Sequence, residues 1–161
     1  MLVQIGEALQ DNSIVVTLNS VGWMAATLEI VHYFGMFVLV GSIAIVDLRV
    51  IGWAGQQQSA TKLARRLFPW MWLGLALNFL SGFVMFAGIA ASYIPDPTFR
   101  MKMWVIFAAV VFGIVVQWQV PAWDKLPTMP LWAKVFAAVS LLLWVAAILA
   151  GNEVPAISGL G

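Results

Sequence analysis

Two acids and one imidazole interrupt an otherwise apolar stretch of this sequence, EIVHYFGMFVLVGSIAIVDLRVIG. They are Glu29, His32 and Asp47, and His32 is the only histidine in the chain. If the stretch forms one helix, about five turns separate Glu29 from Asp47, so the two acids share a face, and His32 lies about 60° from both. Titratable groups in apolar surroundings are costly and usually mark function, so these three are the first candidates for chemistry.

His32 allows three interpretations. The first is an axial ligand to haem iron, because a neutral imidazole inside a helical bundle suits that role. The second is a copper, iron or zinc ligand acting with Glu29, since Glu-x-x-His spacing turns both side chains toward the interior of a bundle. The third is a hydrogen bond to a neighbouring helix, as in a non-catalytic structural subunit of a membrane complex.

Of these three we expect the first. The function would then be electron transfer within the membrane through a b-type haem held by His32, with Glu29 orienting the imidazole through a hydrogen bond. The alternatives are a membrane protein that binds copper or iron through Glu29 and His32, and a non-catalytic structural subunit of a membrane complex.

Small and polar residues extend this expectation to a second helix. One narrow stripe on that predicted helix consists of Gly74, Asn78, Ser81 and Gly82, and Gly35 gives the first helix a similar strip beside the histidine. Such stripes let another helix or a flat ring come close to the backbone, and helix packing is the commoner use. For a haem, we expect Gly35, Gly74 and Asn78 to line the cofactor.

Charged and sulfur-containing side chains complete the predicted site. Arg100 and Lys102 are on the same predicted side of the membrane as His32, where they could pair with haem propionates. A second axial ligand could be Met85 on the second helix, or His32 of another copy of the chain. For the copper or iron alternative, the predicted ligands are His32, Glu29 and Met85.

The composition of the chain indicates a membrane protein. Of its 161 residues, 63% are hydrophobic and only 9% are charged, and its mean hydropathy is +0.96. A soluble domain carries roughly a quarter charged residues because its surface faces water. The lack of cysteine excludes disulfides and thiolate metal sites. No basic cluster is long enough to indicate nucleic acid as a partner.

Four apolar segments reach the roughly 20 residues that a helix needs to cross a bilayer. They cover residues 22–53, 68–92, 101–120 and 131–150. Their short connections favour antiparallel neighbours, so we predict an all-α, integral membrane, up-down four-helix bundle within residues 21–150. Residues 1–20 have the apolar spacing of a short helix at the membrane interface, and residues 151–161 are predicted to be a C-terminal tail.

Basic and aromatic residues predict the orientation. If both termini lie outside, six Lys or Arg residues lie at the inner connections and two at the outer ones, which satisfies the positive-inside rule. We therefore expect a multi-pass membrane protein with both the N-terminus and the C-terminus outside. The inner set is Arg49, Lys62, Arg65, Arg66, Lys125 and Lys134, and the outer set is Arg100 and Lys102. An interfacial aromatic belt is predicted from Trp23, Trp53, Trp70, Trp72, Trp104, Trp118 and Trp132.

Two local features are predicted near the inner boundary. Asp47 and Arg49 are interpreted as a charge pair at the edge of the membrane, of modest strength unless it is desolvated. Ser59 or Thr61 is predicted to cap a helical lead into the second span.

The spacing of these residues resembles that of a family of small, largely uncharacterised bacterial four-helix membrane proteins. The resemblance covers about residues 20–120. It rests on Glu29-x-x-His32-x-x-Gly35, Gly41, Asp47-Leu48-Arg49-x-x-Gly52, Pro69-Trp70, Ser81-Gly82 and the run from Asp96-Pro97 through Phe99 to Lys102. More distantly, the chain resembles the membrane domain of copper-resistance D-type proteins, in which a first-helix histidine and a lysine opening a later span recur.

The resemblance implies a four-span bundle in the cytoplasmic membrane but no particular activity. The positions that the resemblance singles out are Glu29, His32, Asp47, Arg49 and Lys102.

In the resembled family the third span often closes with a histidine, whereas this chain has Gln117 near that place. A site with two histidines from one chain is therefore not expected. Because four helices cover a haem poorly, we expect a homo-oligomer in the lipid bilayer that packs its glycine-lined faces together. A redox partner protein or a quinone would exchange electrons with it.

Overall fold

The computed structural model describes the backbone of residues 2–158 and the side chains of residues 4–151. Within that part the chain forms seven helices and no strand: α1 (Leu2–Gln10), α2 (Ser13–Ser20), α3 (Gly22–Ile51), α4 (Ala60–Ala87), α5 (Ala90–Tyr93), α6 (Pro97–Trp123) and α7 (Leu131–Ser158). Four of them, α3, α4, α6 and α7 as far as Gly151, are long and apolar enough to cross a membrane. The predicted all-α, four-span membrane fold is confirmed.

The four spanning helices form an up-down bundle. α3 packs along both α4 and α7, and α6 packs mainly against α7. Consecutive spans are antiparallel because the connections at 52–59 and 124–130 are short. We call the end that carries these two connections the loop end. The opposite end, where α2 and α5 pack against the spans, is the terminal end.

Two residues set the helix ends around the first of these connections. Gly52 ends α3 in the left-handed conformation, at φ 102°, and its N–H donates to the Leu48 carbonyl. Glycine adopts this conformation without steric cost. Ser59 caps α4, as predicted, by accepting a hydrogen bond from the Lys62 N–H at 3.2 Å.

Asp124 follows α6 and anchors the first turn of α4. Its two carboxylate oxygens accept hydrogen bonds from the N–H groups of Ala60 and Thr61, both at 3.1 Å. Partial burial raises the pKa of this carboxyl, but hydrogen bonds from Thr61, Ala60 and Ser59 outweigh that effect and hold the pKa below its ordinary value. The carboxylate thus lies at the positive end of the α4 dipole, where an anion is stabilised.

The second span begins and ends earlier than the predicted 68–92. α4 ends at Ala87, and a turn at Gly88 separates it from α5. Asn19 of α2 contacts this end of the helix, because its side-chain amide donates to the Val84 carbonyl at 3.2 Å, and that carbonyl also accepts from the Gly88 N–H. A Cβ on Gly88 would lie 2.8 Å from Cγ of Asn19, so the turn also provides the space that the Asn19 side chain fills.

Both ends of the chain contain more helix than the predicted spans. Residues 1–20 hold two helices rather than one, because Asn12 caps α2 by accepting a first-turn N–H at 3.0 Å. Gly6 of α1 lies against α5, where a Cβ would be 2.9 Å from Cα of Ala91. α7 continues through most of the predicted tail, to Ser158. A formed helix extends by one backbone hydrogen bond per residue, whatever the hydropathy of the added residues.

The packed core lies in the loop half of the bundle. No residue of α3 before Gly35 is buried, and none of α6 before Ala109. On α7 the buried residues run from Ala133 to Trp144, and none of the later residues with described side chains is buried. The terminal half of the bundle, which contains His32, is thus loosely packed on α3, α6 and α7, whereas Ser81 and Ala87 of α4 and Ala90 and Tyr93 of α5 are buried there.

The tryptophans divide into two groups. All seven of the predicted belt residues are exposed on the outside of the bundle, whereas Trp123 and Trp144 are buried in the core. Exposed indoles near the ends of spanning helices are what an interfacial belt requires.

Candidate functional site

The α3–α4 interface is closest where two glycines meet. A Cβ on Gly35 would lie 2.7 Å from the Asn78 nitrogen, and a Cβ on Gly74 would lie 2.5 Å from the Leu39 nitrogen. Both distances are shorter than real Cβ contacts, so only glycine allows the two backbones to approach this closely. The space between Gly35 and Gly74 holds backbone and leaves no room for a ring. Helix packing therefore accounts for this pair, which was expected to line a flat cofactor.

His32 lies one turn from this crossing and is hydrogen-bonded to α4. Its Nδ1 is 3.1 Å from the backbone oxygen of Asn78 and 3.3 Å from Oγ of Ser81. In return, the side-chain amide of Asn78 donates to the backbone oxygen of His32 at 3.0 Å. The structure thus brings His32 together with the polar members of the predicted stripe.

These contacts define the protonation of the imidazole. A carbonyl oxygen can only accept, so the bond to Asn78 requires a proton on Nδ1. The Ser81 hydroxyl donates to the Leu77 carbonyl at 2.6 Å, which leaves its oxygen free to accept from the same Nδ1–H. In the neutral ring Nε2 then carries the lone pair, and Nε2 is the atom through which such a histidine binds a metal.

The Asn78 amide nitrogen does not occupy that lone pair. It is 3.4 Å from Nδ1 and 3.4 Å from Nε2. A point equidistant from both ring nitrogens lies along neither lone pair, since the two lone pairs diverge. The well-formed bond of this amide is the one to the His32 backbone.

Gly82 lies directly against the imidazole of His32. A Cβ on Gly82 would lie 2.8 Å from Cε1 of His32 and 3.1 Å from its Nδ1. The ring therefore rests against the α4 backbone in a notch that any larger residue would fill. This contact explains why a glycine follows Ser81 in the stripe.

Glu29 is not the group that orients the ring. It precedes His32 by one turn and is exposed, while the Nδ1 proton is directed to α4. The Asn78 carbonyl takes the orienting role expected of the Glu29 carboxylate. Met85, one turn beyond Ser81 on α4, is partly buried.

The two basic residues expected near His32 differ in their placement. Arg100 is exposed in the first turn of α6, whereas Lys102 is partly buried. Nζ of Lys102 lies 3.9 Å from the position that a Cβ on Gly151 would occupy. Lys102 is therefore the less exposed of the two, and it lies in the terminal half of the bundle, as His32 does.

Asp47 is buried in the core rather than paired at the membrane edge. Its side chain is 0% exposed, and neither carboxyl oxygen has a hydrogen-bond partner among the described residues. Arg49 instead donates from Nε to the Gln58 carbonyl at 2.8 Å. The predicted Asp47–Arg49 pair is wrong because residues two apart on a helix point in different directions. That spacing was the signal in the sequence that excluded the pair.

Gln117 also has a structural partner. Its Oε1 accepts a hydrogen bond from Nε1 of Trp72 at 3.0 Å, which joins α6 to α4 in the loop half. Within the described part of the chain, no group of three or more His, Asp or Glu side chains is placed to hold a metal ion.

Comparisons with known proteins add one result to this geometry. Neither curated protein sequences nor solved structures include a match to the chain. A family model, that of DUF6644, described as a family of unknown function, matches residues 13–155. The matched segment contains all four spans and His32, so this chain belongs to the DUF6644 family.

Proposed function

We propose that this protein binds b-type haem through Nε2 of His32 and transfers electrons within the membrane. The observation that carries the proposal is the 3.1 Å contact between Nδ1 of His32 and the Asn78 carbonyl. A ligating histidine characteristically donates its other ring N–H to a carbonyl or carboxylate, which fixes the tautomer and makes the ligating nitrogen more basic. A haem bound there would supply one-electron redox chemistry.

The packing of the bundle supports the same proposal. Most of the buried core lies in the loop half, and on α3 no residue between the start of the helix and Gly35 is buried. His32 lies in this loosely packed half. A flat cofactor or a second copy of the chain would therefore meet little competing packing beside the imidazole.

The residues that would hold the group are fewer than the sequence suggested. His32 would provide the ligand, and Lys102 would be the basic side chain that pairs with a propionate. Asn78 would act on the ring through hydrogen bonds rather than by touching the cofactor. Gly35 and Gly74 would not contact the cofactor, because the backbone of the opposite helix occupies the space beside each of them.

The second ligand and the partners are part of the proposal. Met85 of the same chain, or His32 of a second copy in a homo-oligomer, would complete the coordination of the iron. A quinone or a redox partner protein would exchange electrons with the haem. The distant relation to copper-resistance D-type proteins stays a prediction.

An absorption spectrum of the detergent-purified protein, oxidised and reduced, with and without added haemin, tests the proposal. We expect a Soret band in the wild type that is lost in His32→Ala. Gly82→Ala should retain a band but change its position or intensity, because the new methyl group displaces the ring. Gly41→Ala is the matched control, since a Cβ there meets nothing within 4 Å. A wild-type protein that shows no band after haemin addition contradicts the proposal.

A structural role for His32 is the second candidate, and the same hydrogen bonds favour it. Both the ring and the backbone of His32 bond to Asn78, so the pair joins α3 to α4 with or without a cofactor. In that case His32→Ala would lower the stability of the bundle and change no cofactor content.

A metal ion without porphyrin is the remaining alternative. Because no cluster of three or more His, Asp or Glu side chains occurs among the described residues, copper or iron would need His32 with Glu29 and a thioether such as Met85, or ligands from several copies. Elemental analysis of the purified protein separates this alternative from haem.

We also propose that the protein lies in the bacterial inner membrane with both termini outside. The support is the excess of Lys and Arg at the loop end over the terminal end. Because the natural chain has no cysteine, single cysteines at Asp11 and Gln57 can be labelled with an impermeant maleimide in intact cells. Labelling of Asp11→Cys alone is expected, and labelling of Gln57→Cys alone would reverse the orientation.

A further inference from the structure

Asp47 is a titratable group in the bundle core that the proposed function does not use. It lies roughly 22 Å from His32 along α3, at 1.5 Å per residue, in the loop half. Its side chain is 0% exposed, and both of its oxygens lack a hydrogen-bond partner among the described residues. An isolated carboxylate in such surroundings would be costly, whereas a neutral acid or a bound cation removes the charge.

Ser140 of α7 lies beside this carboxyl and is also fully buried. Its hydroxyl is near enough to interact with Asp47, but the geometry falls short of a hydrogen bond. The other buried serines behave differently: Ser42 donates to the Val38 carbonyl and Ser81 to the Leu77 carbonyl, both at 2.6 Å. Ser140 makes no such bond to its own helix. Its hydroxyl is therefore free to bond to Asp47.

Basic residues at the loop end do not neutralise Asp47. Arg49 on its own helix is directed to the Gln58 carbonyl, and Asp124 at the end of α6 is bonded to the start of α4. No charged side chain in the described part of the chain is paired with the Asp47 carboxyl. The other charged residues of this end are Lys62, Arg65 and Arg66 on α4, Lys125 after α6 and Lys134 on α7, of which all but Lys134 are exposed.

We propose that Asp47 is a proton-binding site within the membrane. Its carboxyl group holds the proton as a neutral acid, and the Ser140 hydroxyl is its hydrogen-bond partner. The ligand is a proton, so the site takes no metal or cofactor. The neutral acid and the serine hydroxyl each provide one O–H donor and also have oxygens that accept, so a small side-chain rotation would bring them into a bond. The site is independent of the haem proposal, because it uses different residues in the opposite half of the bundle.

Infrared spectroscopy of the full-length protein in lipid at neutral pH tests this inference directly. We expect a carboxylic acid C=O band that shifts in D₂O and is lost in Asp47→Asn. The band should remain in the matched carboxyl variants Glu29→Gln and Asp124→Asn. In Ser140→Ala it should remain but move, because the acid loses its hydrogen-bond partner; an unchanged band would remove Ser140 from the site.

Two further measurements keep the test decisive. If Asp47→Asn does not fold, aspartate labelled with ¹³C at the side-chain carboxyl must shift the band of the wild-type protein. Adding sodium chloride, with choline chloride as the control, must leave the band in place. If the band is lost in sodium chloride but kept in choline chloride, Asp47 is a cation site. If no acid band is present at neutral pH, Asp47 is a carboxylate. Either result overturns the proposal.

Discussion

Asn78 and His32 exchange two hydrogen bonds across the α3–α4 interface. The imidazole donates from Nδ1 to the Asn78 carbonyl at 3.1 Å, and the Asn78 amide donates to the His32 carbonyl at 3.0 Å. The histidine is thus held by α4 both through its ring and through its backbone. Because the ring bond uses a main-chain oxygen, substitution of the Asn78 side chain separates the two contacts.

Asn78→Ala removes only the bond from the side-chain amide to the His32 backbone. We expect the free energy of unfolding to fall by about 1 kcal/mol, the usual net value of one hydrogen bond. The ring bond to the main chain should persist. Reversible unfolding in detergent measures the change, and Leu80→Ala on the exposed face of the same helix is the control. A loss no larger than that of the control would show that the amide bond contributes nothing.

The tautomer of His32 can be observed without interference, because the chain has one histidine. We expect the ¹⁵N spectrum of histidine-labelled apoprotein to show a protonated Nδ1 and an unprotonated Nε2. Asn78→Ala should leave this pattern unchanged, whereas Gly82→Ala should alter it by moving the ring away from α4. Protonation of Nε2 instead of Nδ1 would contradict the bond to the Asn78 carbonyl.

Two glycines of α3 form a matched pair for the close approach of α3 and α4. Gly35→Ala places a methyl group 2.7 Å from the Asn78 nitrogen, so we expect destabilisation of about 1–3 kcal/mol, as for other overpacked sites. Gly41→Ala meets nothing within 4 Å and should stabilise the helix by up to about 1 kcal/mol through its propensity. Thermal unfolding in one detergent compares the two. Equal effects would show that helix propensity, not the interface, governs both positions.

Asp124 should make the stability of the bundle depend on pH in the acid range. Its folded pKa lies below its unfolded value, so its stabilisation is fully present above the unfolded pKa, about 3.9 for aspartate. That stabilisation is lost as the pH falls through the folded pKa, where the carboxylate anchoring Ala60 and Thr61 is protonated.

Asp124→Asn should lower stability at neutral pH and flatten the acid part of the pH profile. Unfolding measured between neutral pH and the acid limit of solubility gives both quantities. Asp11→Asn, at an exposed position, is the control. An acid profile of Asp124→Asn that matches the wild type would assign the pH dependence to other carboxyls.

Local sequence signals predicted the spans and several of their ends. In hydrocarbon, a helix satisfies the backbone N–H and C=O groups of a long apolar run within the run itself. The four spans could therefore be recognised from the sequence. Ser59 was found as a cap because capping depends on residues close in sequence. The contact of Asn19 with the end of α4 was not predicted, because Asn19 is distant in sequence and reaches the Val84 carbonyl only in the folded chain.

The candidate site was only partly predictable for the same reason. The sequence identified His32, Asn78 and Lys102 as residues of one region. It could not tell that Gly35 and Gly74 meet each other, since a small-residue stripe serves a helix or a ring equally well. Asp47 was assigned to a charge pair at the membrane edge because Arg49 follows two residues later, although side chains two residues apart on a helix point in different directions.

Composition and hydropathy alone therefore determined that this chain crosses a membrane four times, because unpaired backbone groups and charges are excluded from hydrocarbon regardless of tertiary contacts. The tertiary structure decided which polar side chains find partners. It gave the imidazole of His32 a carbonyl on α4, and it left the carboxyl of Asp47 facing a serine in the core. The physical reason is that a hydrogen bond needs its two atoms within about 3 Å in the right direction, and only the packing of one helix on another sets that distance.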